Sequence, residues 1–180
     1  RVVTQEGFEY TFALNHLGYF LPTSLLLPLL KKSAPARIIN VASEGHRMGR
    51  INFDDLQLAQ GYTAMKAYNQ SKLANILFTY ELARRLDGSG VTANCLHPGV
   101  VGSNFASGSV WWIRMGMKLV KPFLLTPEKA ARGPAYLASS QEVAATTGKY
   151  FWGKRVMPSS MRSHNEDDAR RLWEVSEKLV

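Results

Sequence analysis

The sequence holds one cysteine, Cys95, so no disulfide can form within the chain, and its place in the apolar run Val91-Thr92-Ala93-Asn94-Cys95-Leu96-His97 reads as a small buried hydrophobe. Its four histidines, His16, His46, His97 and His164, have neither metal-ligand spacing nor a cysteine cluster beside them, so no metal is implied. No glycine-rich turn of the kind that cradles a pyrophosphate between a strand and a helix is present. The nearest candidate, Gly88-Ser89-Gly90, follows a helical stretch and precedes a strand, and reads as a helix stop and turn. The apolar run Phe20 to Leu30 has eleven residues and two prolines, Pro22 and Pro28. It is too short for a membrane span and predicts a buried helix on the flank of a sheet. The net charge is +8, but the basic residues come in pairs such as Lys31-Lys32, Arg84-Arg85 and Arg170-Arg171 on separate elements. Without a long basic run or a recognition motif, solvated helix faces account for them and no nucleic acid is expected. A phosphate-bearing cofactor or a negatively charged membrane surface stays compatible with the charge.

What is present fits one globular α/β domain: 180 residues, 46% hydrophobic and 20% charged. A helix is predicted over about 5–32, with Phe8, Phe12, Asn15, Tyr19 and Leu26 on related faces. A strand over 37–43 leads into a loop rich in Gly, Asn and Asp, then a helix over about 63–87 in which Leu73, Ile76, Leu77 and Tyr80 recur at helical spacing. A strand over 91–97 ends at Pro98-Gly99. Thr126-Pro127-Glu128 supplies a capping hydroxyl, a proline at the first helical position and an early acid, which starts a helix to about 138. A last strand is expected over 148–152. Asn165-Glu166-Asp167-Asp168 caps a final helix with Ala169, Leu172, Trp173, Ser176 and Leu179 on one side.

Within Ala67-Tyr68-Asn69-Gln70-Ser71-Lys72, Tyr68 and Lys72 are one helical turn apart, so a phenol stacks near an ammonium. A nearby positive charge favours the phenolate and brings a weak acid toward a useful range, which points to general acid/base work at a carbonyl or carbinol. Taken alone, the spacing also arises from ordinary packing. Its context is a strand ending in Ser43 upstream and a strand ending in Pro98-Gly99 downstream, and strand ends of a parallel sheet are where active sites collect.

With these residues in view, the chain resembles the short-chain dehydrogenase/reductases, in particular their retinol dehydrogenase-like branch. The resemblance is carried by 15–21, 37–43, 51–56, 68–78, 96–101 and 148–151, in that order along essentially the whole chain. It implies a Rossmann-like, doubly wound parallel sheet in three layers, α/β/α. It also implies that Tyr68 donates or accepts the proton, that Ser43 hydrogen-bonds the substrate oxygen, that Lys72 lowers the tyrosine's pKa and holds the cofactor ribose, and that Asn15 anchors a relay water. Tyr68, Lys72, Pro98, Gly99, Val101 and Ser103 would contact the cofactor, NADP(H) or NAD(H). Where the family has two serines at the end of the central strand, this chain has Ala42 and then Ser43; where it prefers threonine after the Pro-Gly turn, Ser103 keeps a hydroxyl.

The family's first βαβαβ half, with its phosphate cradle, has no counterpart here. Residues 1–180 therefore read as one partial Rossmann-fold domain, the catalytic and substrate-binding half. The expectation is that the strands at 37–43 and 91–97 lose sheet neighbours, that the isolated chain is marginally stable or aggregation-prone, and that it neither binds nucleotide tightly nor transfers hydride alone. The segment from Trp111 to Leu125 combines an apolar body with Arg114, Lys118 and Lys121. It is a candidate lid over a bulky apolar aldehyde, ketone or alcohol, a packing or subunit contact in a homo-oligomer, or a peripheral membrane contact. Localisation, cytoplasmic or membrane-associated, stays open. A Ser43/His46 hydrolase is rejected, because no Gly-x-Ser-x-Gly elbow is present and the two lie too close in sequence. The alternative from another class is a non-catalytic binding or scaffold protein that keeps the fold.

Overall fold

The structure, a computed structural model, describes residues 1–99 and 125–180. Its first helix, α1, runs Tyr10–Lys32. It starts later than the expected residue 5 because Gly7 takes a left-handed φ of 90° and Val3 pairs with Glu9 in an isolated antiparallel bridge. The Glu9 carboxylate then caps the helix, accepting from the backbone N–H groups of Thr11 and Phe12 at 2.9 and 2.8 Å. Within α1, Ala13–Leu17 widens into a π-helical turn, and that turn carries Asn15.

Strand β1 is Ala36–Val41 and stops short of the expected residue 43, because Ser43 caps a 3-10 turn, Glu44–Met48. Helix α2 follows at Ala64–Arg85, opened by Thr63, whose hydroxyl accepts from the Lys66 N–H. Its end at Gly88 and Gly90, with φ of 69° and 75°, is the predicted stop and turn. Strand β2 is Val91–His97, helix α3 is Pro127–Ser139 with Thr126 as its cap, and β3 is Tyr150–Trp152. The sequence reading missed β4, Arg155–Val156, which returns antiparallel to β3 across Gly153 and Lys154. Helix α4, Glu166–Leu179, begins as expected at Asn165, whose side-chain oxygen accepts from the N–H groups of Asp167 and Asp168.

The sheet order is β1-β2-β3-β4, with β1, β2 and β3 parallel and Ala36 through Val41 in register with Val91 through Leu96. Helices cover both faces, as the alternation of side chains along the strands requires. On one face Ile38 and Ala93 meet Phe20, Phe78, Leu82 and Trp173 from α1, α2 and α4. On the other, Ile39, Leu96 and Phe151 meet Tyr136, Leu137 and Val143. Of the two strands expected to lose neighbours, β2 is interior and only β1 is an edge among the described residues.

One expectation is corrected outright. The apolar run of α1 does not make a buried helix: only its inner ridge, including Phe12, His16 and Phe20, is covered, while Leu25 is 71% and Leu29 59% exposed. The helix is also longer than the eleven-residue run suggests, and by length and composition alone is apolar enough to cross a membrane.

Candidate active site

Lys72 and Tyr68 stand one turn apart near the start of α2, with the Lys72 ammonium 5.8 Å from the centroid of the tyrosine ring. Lys72 is buried, at 8% exposure, and burial pushes its pKa down to about 8. At neutral pH it is still mostly protonated, so the positive charge beside Tyr68 persists. Its Nζ donates to the Val41 carbonyl at 3.2 Å, and Asn75 Nδ2 donates to the same oxygen at 3.3 Å. Val41 ends β1. Its neighbour Ala42 gives its N–H to Leu96 on β2, so the backbone groups of Val41 face the free edge of the sheet. Side chains of α2 thus satisfy the carbonyl at the end of β1.

Ser43 lies two residues beyond, in extended backbone, and its hydroxyl oxygen accepts from the Gly45 N–H at 3.3 Å. That leaves the hydroxyl proton for another acceptor. Gly45 is where the serine turn and the catalytic-type helix meet. A Cβ there would sit 3.0 Å from Tyr68 Cε1 and 2.7 Å from Asn69 Oδ1, so only glycine lets the Tyr68 ring lie against the backbone next to Ser43. Asn15, from the π turn of α1, gives Nδ2 to Ser71 Oγ at 3.0 Å, and Ser71 donates to the Tyr68 carbonyl at 2.8 Å. In this arrangement the Asn15 amide nitrogen braces the backbone of the tyrosine's own turn.

Pro98 and Gly99 follow the C-terminal end of β2, and Gly99 has φ 88°, with Leu125 lying where a Cβ would go. Val101 and Ser103 lie outside the described residues, as does the segment from Trp111 to 124. Asn15, Ser43, Tyr68 and Lys72 are therefore drawn together around the first turns of α2 and the end of β1.

The sequence reading set His46 aside once the hydrolase was rejected. In the structure it is fully buried, its Nδ1 is 2.7 Å from the Ser43 carbonyl, and its Nε2 accepts from the Ser160 N–H at 3.0 Å. No local signal marks it, because its second partner is 114 positions away. Beside it, Tyr150 donates to Glu44 at 2.6 Å and Arg47 pairs with the same carboxylate. Burial works to raise the pKa of Glu44, but these bonds outweigh it and hold the carboxyl below its usual range.

A parallel sheet flanked on both faces, with a Tyr-Lys helix seated against a serine at a strand end, defines a class, and comparison with known proteins gives the same one. The family model for short chain dehydrogenase matches residues 1–112, and the chain belongs to that family. Within it the chain is retinol dehydrogenase-like: it is 47% identical to retinol dehydrogenase 14 and 47% identical to retinol dehydrogenase 13, both of Homo sapiens, over 98% of its own length. It spans about half of those relatives, 54% and 55% of their lengths. A solved structure of a protein from Mycobacterium Paratuberculosis superposes with a TM-score of 0.76 at 34% identity, over 99% of this chain and 61% of that one.

Proposed function

We propose that the protein carrying this chain is an NAD(P)-dependent oxidoreductase that interconverts a hydrophobic alcohol and its aldehyde or ketone. The observation that carries the reading is the Lys72 side chain held buried beside Tyr68, with the Ser43 turn packed against the same ring. Residues 1–180 would form the catalytic half of one Rossmann-type domain.

The residues present fit a nicotinamide nucleotide. The Val41 carbonyl takes one of the three ammonium protons of Lys72, which leaves donors for ribose hydroxyls. Gly99 turns the chain just past the end of β2 at a φ of 88°, which glycine takes without strain. When bound, the nicotinamide supplies or accepts the hydride. The chain's own part is proton transfer and charge stabilisation. Tyr68 gives its proton to the carbonyl oxygen in reduction, leaving a phenolate, and in oxidation that phenolate takes the proton of the carbinol; Lys72 stabilises the phenolate in both directions. Ser43, its oxygen already occupied by the Gly45 N–H, donates to the same substrate oxygen and steadies the developing negative charge.

The reading is tested on the full-length protein with NADPH or NADH and a series of aldehydes of increasing apolar length. Nucleotide oxidation that depends on the aldehyde and strengthens with chain length is expected. No turnover with any carbonyl or alcohol, by a folded protein that binds nucleotide, would overturn it in favour of a binding or scaffold role.

A further inference from the structure

The 3-10 turn Glu44–Met48 that follows Ser43 is tied to one distant stretch of chain at three points. Tyr150 donates to Glu44 at 2.6 Å, Arg47 donates to the Pro158 carbonyl at 2.8 Å, and the Ser160 N–H donates to His46 Nε2 at 3.0 Å. The third contact fixes the chemistry of the ring. A backbone N–H can only donate, so Nε2 carries no proton; the proton of the neutral imidazole is then on Nδ1, which donates to the Ser43 carbonyl at 2.7 Å. That carbonyl also accepts the His46 backbone N–H at 3.1 Å. The Ser43 main chain is thus held from one side by a histidine whose tautomer is set from the other side by residue 160. Tyr150 packs its ring 5.0 Å from the imidazole and closes the cluster.

We propose that His46 is a positioning residue: through the Ser160 amide it anchors the Ser43 backbone to the C-terminal part of the chain and so aims the Ser43 hydroxyl at the site beside Tyr68. The proposal rests on the oxidoreductase reading for its catalytic consequence, but not for the clamp itself. His46 touches neither substrate nor cofactor in this account. Its effect on rate is geometric, because a hydroxyl displaced by a fraction of an ångström loses the alignment that stabilises developing charge.

Three variants of the full-length protein separate the bonds from the packing. His46→Phe keeps an aromatic ring against Tyr150 but has no nitrogen. His46→Gln keeps one donor and one acceptor. Ser160→Pro removes the remote N–H together with a hydroxyl that has no hydrogen-bond partner, at a residue whose φ of −68° already suits proline. Hydrogen exchange read by peptide should rise at 43–49 and 157–161 in His46→Phe, with the peptides of α2 unchanged. In the active enzyme, kcat should fall ~10-fold in His46→Phe with nucleotide affinity unchanged, fall about threefold in Ser160→Pro, and recover most of the loss in His46→Gln.

Unchanged exchange at 43–49 in His46→Phe would overturn the clamp. Faster exchange without a fall in kcat, or a fall that Gln does not rescue, would overturn the positioning role. If the wild-type protein turns over no carbonyl or alcohol, the oxidoreductase reading and the positioning role fall together, and the exchange data still decide the clamp.

Discussion

Helices α1 and α2 flank the same face of the sheet and both supply candidate residues, yet their polarity runs opposite to their burial. α1 is rich in leucine and leaves Leu14, Leu21, Leu25, Leu26 and Leu29 exposed. α2 buries Gln70, Ser71, Lys72, Asn75, Thr79 and Glu81. The difference is explained by partners. Gln70 donates to the Leu56 carbonyl and accepts from the Asn52 N–H, Lys72 and Asn75 converge on Val41, Asn40 donates to Thr79, and Glu81 accepts from Arg84 and Arg85. Buried polar groups are affordable where each bond replaces water, and they fix position more tightly than apolar contact does. A helix that must hold a phenol, an ammonium and a strand end in register is built from such groups. α1 needs only one ridge, Phe12, His16 and Phe20, to dock.

Leu77→Ala on α2, where the side chain is fully covered, should cost ~2–5 kcal/mol in chemical denaturation, while Leu25→Ala on α1 should stay within ~0.5 kcal/mol. Similar losses at the two sites would show that α1's outer face is covered in the intact protein.

The inner ridge of α1 supplies a pH test. His16 is fully buried, with Nε2 2.7 Å from Ser176 Oγ, which itself donates to the Leu172 carbonyl. Burial pushes its pKa from 6.5 down to about 3. The folded value lies below the unfolded one, so the neutral ring's contribution is intact above pH 6.5 and is lost as pH falls from there toward 3. Stability should fall by up to ~1.4 kcal/mol per pH unit more steeply than in His16→Gln. Parallel pH curves for the two proteins would show that the imidazole titrates normally.

Thr79→Val sharpens the contrast on the polar side. It keeps the shape but removes the acceptor for Asn40 Nδ2, leaving a buried amide unpaired, so a loss of ~1–3 kcal/mol is expected from melting curves. A neutral effect would mean that packing, rather than these bonds, seats α2 on β1.

Much of this was legible before the fold was known, and for identifiable reasons. Tyr68 and Lys72 stand out by their spacing within one short segment, Ser43 only through the resemblance, and Thr126 and Asn165 are caps whose chemistry is local. The exposure of α1 was not legible, because an apolar run does not say which of its faces has a neighbour. The π turn at Ala13–Leu17 and the short β4 leave little periodic signal. His46 was missed since its meaning depends on Ser160, and only the closed fold brings the two together.

The proposal that the polar, buried start of α2 delivers a catalytic phenol stands or falls on kcat and nucleotide affinity of Tyr68→Phe in the full-length protein. The ring's packing against Gly45 is kept and the proton is removed, so kcat should drop ~10²–10⁴-fold while nucleotide binding is unchanged. Turnover within a few-fold of wild type would contradict the claim.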